Sequence, residues 1–186
     1  SMPGRVREWP TPGEGQARRR AGSNAVYGRA EVRVTESRPL ARVGWREWVT
    51  LPALGLGPIQ AKVDTGAKTS ALHAVDLDLE EHDGVDWVRF VVPPSRKASR
   101  RGAGRGRSAQ ARLQGWREVR SSNGRTERRP VIGADLQMGD AVWPISLTLT
   151  DRRMMGFRML LGREALRRRV LVDPSKSFLL GKPSPP

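Results

Sequence analysis

One aspartate in the sequence stands in a setting that suits chemistry. Asp64 follows the apolar run Pro58–Val63 and opens the segment Asp64-Thr65-Gly66-Ala67. A carboxylate at the end of a strand, beside a hydroxyl and a glycine, is placed to act as a general acid or base. The same residue types also favour a turn in which the aspartate accepts hydrogen bonds from its own backbone. Catalysis and local capping are therefore two interpretations of Asp64.

Other catalytic chemistries find no supporting motif. The absence of cysteine excludes disulfides, thiolate zinc ligands and a cysteine nucleophile. The two histidines, His73 and His82, form no H-E-x-x-H motif, and we predict both to be surface or loop residues. No P-loop and no G-x-S-x-G motif occurs. We therefore expect neither a metal nor a cofactor.

The net charge of +15 raises nucleic-acid binding as a rival class of function. Residues 1–41 hold eight arginines against four glutamates, and residues 93–129 hold 12 basic against two acidic residues. All other positions together carry 14 basic and 13 acidic residues and are almost neutral. The basicity therefore belongs to a tail and one internal segment, and the remainder has the charge balance of an ordinary folded domain.

Composition divides the chain into tails and one domain. Residues 1–40 are rich in proline, glycine and arginine, and we predict a disordered basic tail there, with a second tail at 182–186. Residues 42–181 have the apolar, β-branched texture of a folded domain. Within it, residues 93–112 contain seven basic and no acidic residues, which predicts a flexible basic insertion. This insertion is either a solvated loop or a segment that contacts phosphates without sequence preference.

Short β-like runs between glycine and proline turns predict an all-β barrel or sandwich. The strand candidates include Val43–Leu51, Ile59–Val63, Thr69–Val75, Val85–Val92 and Ala141–Thr150. Pro144 predicts an edge or a bulge in the last of these strands. Only residues 163–168 are compatible with one or two helical turns.

A hairpin is predicted later in the chain. The runs Leu113–Arg120 and Thr126–Ile132 flank Ser121, Ser122, Asn123, Gly124 and Arg125. Asn-Gly between two β-like runs is a strong hairpin signal, because both residues tolerate the positive φ of a tight turn.

Three features now stand in one order: Asp64-Thr65-Gly66-Ala67, the hairpin, and Leu160-Leu161-Gly162-Arg163 before a short helix. In this order the chain resembles the retropepsin family, the dimeric aspartic proteases of retroviral type. It resembles more closely a bacterial branch that carries the label ATP-dependent zinc protease and is linked with ligases that add glutamates to proteins. The zinc and ATP labels find no ligands in this sequence. The resemblance covers residues 42–181 and is carried by four blocks, Gly44–Val49, Ala61–Ala74, Trp143–Thr150 and Arg158–Arg163.

The resemblance implies a closed all-β barrel of the acid-protease fold, with one short helix near the C-terminus. It implies that Asp64 is the catalytic residue of an aspartic endopeptidase and that the hairpin is a flap over the site. The implied supports of the active-site loop are Thr65, Gly66, Ala67, Leu160, Leu161 and Gly162, and the flap tip is Ser121, Ser122, Asn123 and Gly124. The viral pattern places an acidic residue where Lys68 stands, so we expect Lys68 to face Arg163 with like charge.

Hydrolysis of a peptide by this chemistry needs two carboxylates, and the chain has a single Asp-Thr-Gly. A second Asp64 must then come from a second copy, which predicts a homodimer with the site on its two-fold axis. Arg117, Arg120 and Arg125 on the hairpin either contact an acidic, glutamate-rich substrate segment or simply face water.

The alternative function is a non-catalytic nucleic-acid or ribosome-binding module that uses the basic tail and the Arg/Gly segment. In the protease interpretation the same regions would make at most weak, nonspecific contacts with nucleic acid. No run approaches the roughly 20 apolar residues that span a bilayer, and no signal-peptide core is present. We expect a bacterial protein that stays in the cytoplasm and has no membrane partner.

Overall fold

The computed structural model describes residues 40–95, 99–100, 102, 104, 106–120, 124, 126–151 and 156–183. These residues form eleven strands, one 3-10 turn at Pro52–Leu54 and one short α-helix, α1, at Arg163–Leu166. No helix among them is long and apolar enough to cross a membrane. The strands are β1 (Ala41–Gly44), β2 (Arg46–Leu51), β3 (Leu56–Asp64), β4 (Ser70–His73), β5 (Val75–His82), β6 (Val85–Val92), β7 (Arg107–Arg120), β8 (Thr126–Met138), β9 (Ala141–Thr150), β10 (Met159–Gly162) and β11 (Val170–Asp173).

Nine strands form one sheet in the order β2-β3-β10-β4-β9-β8-β7-β6-β5. β2 also pairs with β8 through Thr50 and Gln137, so the strands from β2 to β8 in this order close into a six-stranded barrel. The interior is filled by apolar side chains, of which Leu51, Leu147 and Leu161 are fully buried. The predicted closed all-β barrel with one short helix near the C-terminus is confirmed.

β9 shows how alternation in the sequence builds this barrel. Trp143, Ile145 and Leu147 are buried, whereas the residues between them are exposed. This period of two places one face of the strand against the core. β4 pairs with β9 only from Leu147 onward, so Pro144 lies where β8 is the one neighbour of the strand. The edge position predicted from Pro144 is confirmed, because a missing N–H costs nothing on an unpaired side.

β7 pairs with two different strands along its length. Residues 107–112 pair with β6, and residues 113–120 pair with β8 as one arm of a hairpin. The register shifts between Leu113 and Gly115, where Gly115 has a φ of 141° that favours glycine. The three strands β5, β6 and β7 therefore extend the sheet beyond the barrel, and the predicted β7–β8 hairpin is confirmed.

The flexible insertion predicted over residues 93–112 extends too far toward the C-terminus, because β7 begins at Arg107. The last six residues of this range are strand, and Ala111 is buried beside the fully buried Val88 and Phe90 of β6. The reason is an alternation of small and polar residues, Ala109, Gln110, Ala111 and Arg112, which the density of arginine obscures. Residues 96–98, 101, 103 and 105 of this segment lie outside the described residues, as do 1–39 and 184–186 of the predicted tails.

A buried carboxylate ties the two ends of the domain together. β1 and β11 pair in parallel, with Ala41 opposite Val170. Glu47 in β2 is fully buried and accepts hydrogen bonds from the backbone N–H groups of Gly44 (2.7 Å) and Leu179 (2.8 Å). These donors satisfy the charge that burial would otherwise penalise. The C-terminal residues are thereby held against the start of the domain.

Candidate active site

Asp64 is the last residue of β3 and is partly exposed. Its Oδ1 atom accepts hydrogen bonds from the backbone N–H groups of Gly66 (3.1 Å) and Ala67 (3.0 Å). Among the described residues no group donates to Oδ2. The capping interpretation of Asp64 is thus correct for one oxygen, and it leaves the second oxygen available. The two interpretations of the sequence are compatible, since capping orients the carboxylate.

Strand β10 lies beside the Asp64 loop, residues 64–70, which is the predicted active-site loop. Leu160, Leu161 and Gly162 stand opposite Lys62, Val63 and Asp64 in a parallel pairing. Leu160 and Leu161 are buried, as expected for residues that pack behind the loop. A Cβ atom on Gly162 would lie 2.5 Å from the backbone carbon of Thr69, so the close approach requires glycine at this position.

The start of α1 donates three hydrogen bonds to successive carbonyl groups of the loop. The Arg163 guanidinium donates to Gly66 O at 2.9 Å, and the Arg163 backbone N–H donates to Ala67 O at 2.9 Å. The Glu164 backbone N–H donates to Lys68 O at 3.2 Å. Below them, Gly162 N–H donates to the buried Ser70 hydroxyl at 3.1 Å. These bonds fix the loop backbone from both sides.

Lys68 and Arg163, which we expected to face each other with like charge, each have a partner of their own. Arg163 turns to the carbonyl of Gly66, and the Lys68 ammonium lies 3.8 Å from a carboxylate oxygen of Glu164. Sequence reasoning missed Glu164 as the anion of the loop. Glu164 reaches Lys68 because it lies in the first turn of α1, and the sequence does not show where that helix begins relative to the loop.

The hairpin places Arg117 beside the loop. Its guanidinium Nη1 lies 3.5 Å from Glu164 Oε2. Arg120 is exposed at the end of β7, opposite Thr126. Gly124 has a φ of 80°, which agrees with its assignment to a turn. The other predicted turn residues, Ser121, Ser122, Asn123 and Arg125, lie outside the described residues.

Thr65 and Gly66 are exposed in the single chain, and Ala67 is partly exposed. The loop therefore presents its hydroxyl and its glycine backbone outward, while its carbonyl groups are bound to α1. This surface is accessible to another molecule.

No group of three or more histidine or carboxylate side chains in the described part of the chain is placed to hold a metal ion. His82 is exposed and lies 3.1 Å from Glu80. His73 is buried within β4, 3.7 Å from Asp151, so the prediction of a surface or loop position is wrong for His73. The cause is the central position of β4 between β10 and β9.

A closed barrel with an Asp-Thr-Gly loop, supported by Leu-Leu-Gly on a neighbouring strand, defines a retropepsin-like protein. Residues 42–183 match the model of the family described as "RimB-like: Retropepsin-like aspartic endopeptidase RimB". The chain belongs to this RimB-like family of retropepsin-like aspartic endopeptidases.

The relatives include larger proteins of another name. The chain is 44% identical over 143 residues to a protein of Shewanella pealeana named "Probable alpha-L-glutamate ligase". It is 48% identical over 143 residues to one of the same name from Parasynechococcus marenigrum. Each match covers 75% of this chain, and the chain spans only about 30% of the length of these relatives.

A solved structure shows the same fold. It is Lpg0085 of Legionella pneumophila, a protein described as having unknown function. The TM-score is 0.62 at 32% sequence identity, and the match covers 75% of this chain and 98% of that one.

Proposed function

We propose that the chain is an aspartic endopeptidase in which Asp64 is one half of a catalytic pair. The observation that carries this proposal is the capped carboxylate of Asp64. Two backbone N–H groups hold Oδ1, the loop is clamped by α1, and no described residue donates to Oδ2. A fixed carboxylate with one available oxygen is suited to take a proton from water.

The second carboxylate comes from a second copy of the chain. The sequence holds one Asp-Thr-Gly, and the exposed Thr65 and Gly66 give the loop a surface that a partner loop can contact. Two carboxylates ~3 Å apart repel by about 5 kcal/mol at an effective dielectric of ~20. The pair therefore shares one proton, as aspartic-protease pairs generally do.

In this mechanism the unprotonated carboxylate removes a proton from water, which attacks the peptide carbonyl carbon. The protonated carboxylate of the partner chain donates its proton to the carbonyl oxygen. The first carboxyl group then donates the proton it took from water to the amide nitrogen, and the partner carboxylate takes a proton from a hydroxyl of the tetrahedral intermediate. The C–N bond breaks and two peptides are released. Thr65 bonds across the dimer and keeps the two loops in register, and Gly66 lets the substrate approach the backbone.

The substrate class is a peptide segment rich in glutamate. The guanidinium of Arg117 lies 3.5 Å from Glu164 at the start of α1, and Arg120 is exposed at the end of the same strand. The relatives that contain a matching segment are named as glutamate ligases. A peptidase that removes the glutamates added by such a ligase would reverse the ligase reaction, and this activity is consistent with the names of the relatives.

The test compares Asp64→Asn with Asp173→Asn in the full chain. Asparagine keeps the Oδ1 acceptor but cannot exchange the proton, so Asp64→Asn lowers the cleavage rate by at least about 10³-fold. Asp173 stands at the end of β11, and its substitution leaves the rate within about twofold. Cleavage of glutamate-rich peptides is measured by mass spectrometry and the dimer by sedimentation. Equal rates for Asp64→Asn and the unsubstituted chain contradict the proposal.

The same experiment separates the alternative function. A nucleic-acid or ribosome-binding module loses its binding when residues 1–40 and 95–108 are deleted and keeps it in Asp64→Asn. The peptidase shows the reverse pattern, because its chemistry depends on Asp64 and not on the charge of the tail.

A further inference from the structure

Glu164 bridges two cationic side chains that come from separate parts of the fold. Its Oε1 lies 3.8 Å from Lys68 Nζ in the active-site loop, and its Oε2 lies 3.5 Å from Arg117 Nη1 in the hairpin. One carboxylate therefore links the loop that carries Asp64 with the hairpin that resembles a flap. This link is made within a single chain.

The third cation of this region is already engaged. The Arg163 guanidinium donates to Gly66 O at 2.9 Å and serves the loop backbone. The side chains of Lys68 and Arg117 are different, because in the described part of the chain each has the carboxylate of Glu164 as its one ion-pair partner. They are the cations at the loop that an incoming anion can reach.

The contacts of Glu164 are loose and open to solvent. Charge-assisted hydrogen bonds are normally about 2.7–2.9 Å long, and both contacts here are longer. The side chains of Lys68 and Glu164 are 69% and 48% exposed, and Arg117 is 38% exposed. Exposed pairs of this kind contribute little and are weakened by salt. Glu164 is therefore an anion that another carboxylate can displace.

We propose that Lys68 and Arg117 form a subsite for a carboxylate side chain of the substrate and that Glu164 occupies this subsite in the free protein. The proposal rests on the proposed peptidase function and names the residues that select the substrate. A glutamate of the peptide takes the place of Glu164 between the two cations. The hairpin is then linked to the loop through the substrate carboxylate instead of through Glu164.

The test measures peptide binding without cleavage. The full chain carrying Asp64→Asn is titrated with a labelled glutamate-rich peptide and with the same peptide carrying glutamine in place of each glutamate, and fluorescence anisotropy gives Kd. Adding Glu164→Gln removes the internal competitor and lowers Kd for the acidic peptide by about threefold to tenfold. Adding Lys68→Gln or Arg117→Gln raises that Kd by a similar factor. Kd for the glutamine peptide stays constant in all of them.

Arg128→Gln is the matched control on the same hairpin. Arg128 lies over the ring of Trp116, 4.8 Å from its centroid, and has no contact with Glu164 among the described residues. Its substitution leaves both dissociation constants unchanged, although it removes the same charge from the hairpin. A general effect of net charge would instead make Arg128→Gln and Arg117→Gln equivalent.

Three results overturn the subsite. They are absence of binding to the glutamate-rich peptide, weaker binding of both peptides by Glu164→Gln, and equal effects of Arg128→Gln and Arg117→Gln. Cleavage by the chain with Asp64 intact is scored separately. Cleavage together with peptide binding that does not depend on Glu164 would refute the subsite and support the peptidase. Binding that depends on Glu164 without any cleavage would support the subsite and refute the peptidase.

Discussion

Two strands of this protein end in an aspartate, and the hydrogen bonds of the two carboxylates distinguish a structural role from a catalytic one. Asp64 at the end of β3 accepts two backbone N–H groups on Oδ1. Asp173 at the end of β11 accepts the Ser175 backbone and hydroxyl on Oδ1, and the Arg42 guanidinium on Oδ2 at 2.7 Å. Both oxygens of Asp173 are therefore used, whereas Oδ2 of Asp64 has no donor in the described part of the chain. A capped aspartate is a candidate for catalysis when its cap leaves one oxygen over.

The loops around these aspartates are also held differently. The Asp64 loop is fixed by donors that lie far along the chain, because residues of α1 bond to three of its carbonyl groups. The turn at Asp173 is fixed chiefly by Ser175, two positions away. The first arrangement makes the loop geometry depend on the whole barrel, and the second makes it local. Substitutions test this difference, and the expected effects fall in the following order.

Gly162→Ala has the largest expected effect on the Asp64 loop. The new Cβ atom would lie 2.5 Å from the Thr69 backbone, which no side-chain rotation relieves. We expect a loss of about 3 kcal/mol in the free energy of unfolding, as for overpacking in a core. Chemical denaturation measures it, with Gly156→Ala as the control, because no atom of the described residues lies within 4 Å of a Cβ at that position. Equal denaturation midpoints for Gly162→Ala and Gly156→Ala would show that the Asp64 loop adapts to the new side chain and does not depend on the close contact with β10.

Asp64→Ala tests the cap separately from the chemistry. Alanine removes the acceptor of the Gly66 and Ala67 N–H groups, and asparagine retains it. We expect Asp64→Ala to be less stable than Asp64→Asn by about 1 kcal/mol. Both variants lose cleavage, so thermal unfolding is the measurement that distinguishes them. Identical stabilities would mean that the two hydrogen bonds orient the carboxylate without stabilising the turn.

Acidification is expected to reduce the stabilising contribution of Asp173, and this effect is smaller than those of the two substitutions above. Hydrogen bonds from the Ser175 hydroxyl and backbone, with a lesser contribution from Arg42, lower the pKa of Asp173 below its ordinary value. A lowered pKa contributes stability above the unfolded-state pKa, and the contribution is lost as pH falls through the folded-state pKa. The stability difference between the unsubstituted chain and Asp173→Asn should thus be largest near neutral pH and shrink below about pH 4. A difference that grows with acid would contradict this sign.

Local patterns in the sequence predict a large part of this molecule. Alternation predicts β9 and β6 with their observed bounds, and Asn123-Gly124 predicts the hairpin, because both signals act within a few residues. The same kind of signal is present at Asp83-Gly84, where both residues have positive φ and join β5 to β6. β5 itself is hidden by its acidic side chains, which suit an exposed outer strand.

The contacts of the candidate site are less visible in the sequence. Arg163 and Gly66 are 97 positions apart, and Arg117 and Glu164 are 47 apart. No periodicity connects such residues, since the barrel alone brings them together. The residue types around Asp64 made it a candidate, and the resemblance to retropepsins strengthened it but implied an unfavourable neighbour for Lys68. The carboxylate that neutralises Lys68 became apparent only when the first turn of α1 was placed.

The pairing of the first strand with the last has a consequence for how this domain combines with others. β1 lies beside β11, and the residues after β11 return to β2, where Phe178 N–H donates to Arg46 O at 2.9 Å. The first and last strands of the domain are thus neighbours, and the segment after β11 packs against the strand that follows β1. A domain with adjoining ends is a module that can be joined to a larger chain through either end without rearranging its strands. This property accords with the matching segments that make up about 30% of larger proteins named "Probable alpha-L-glutamate ligase".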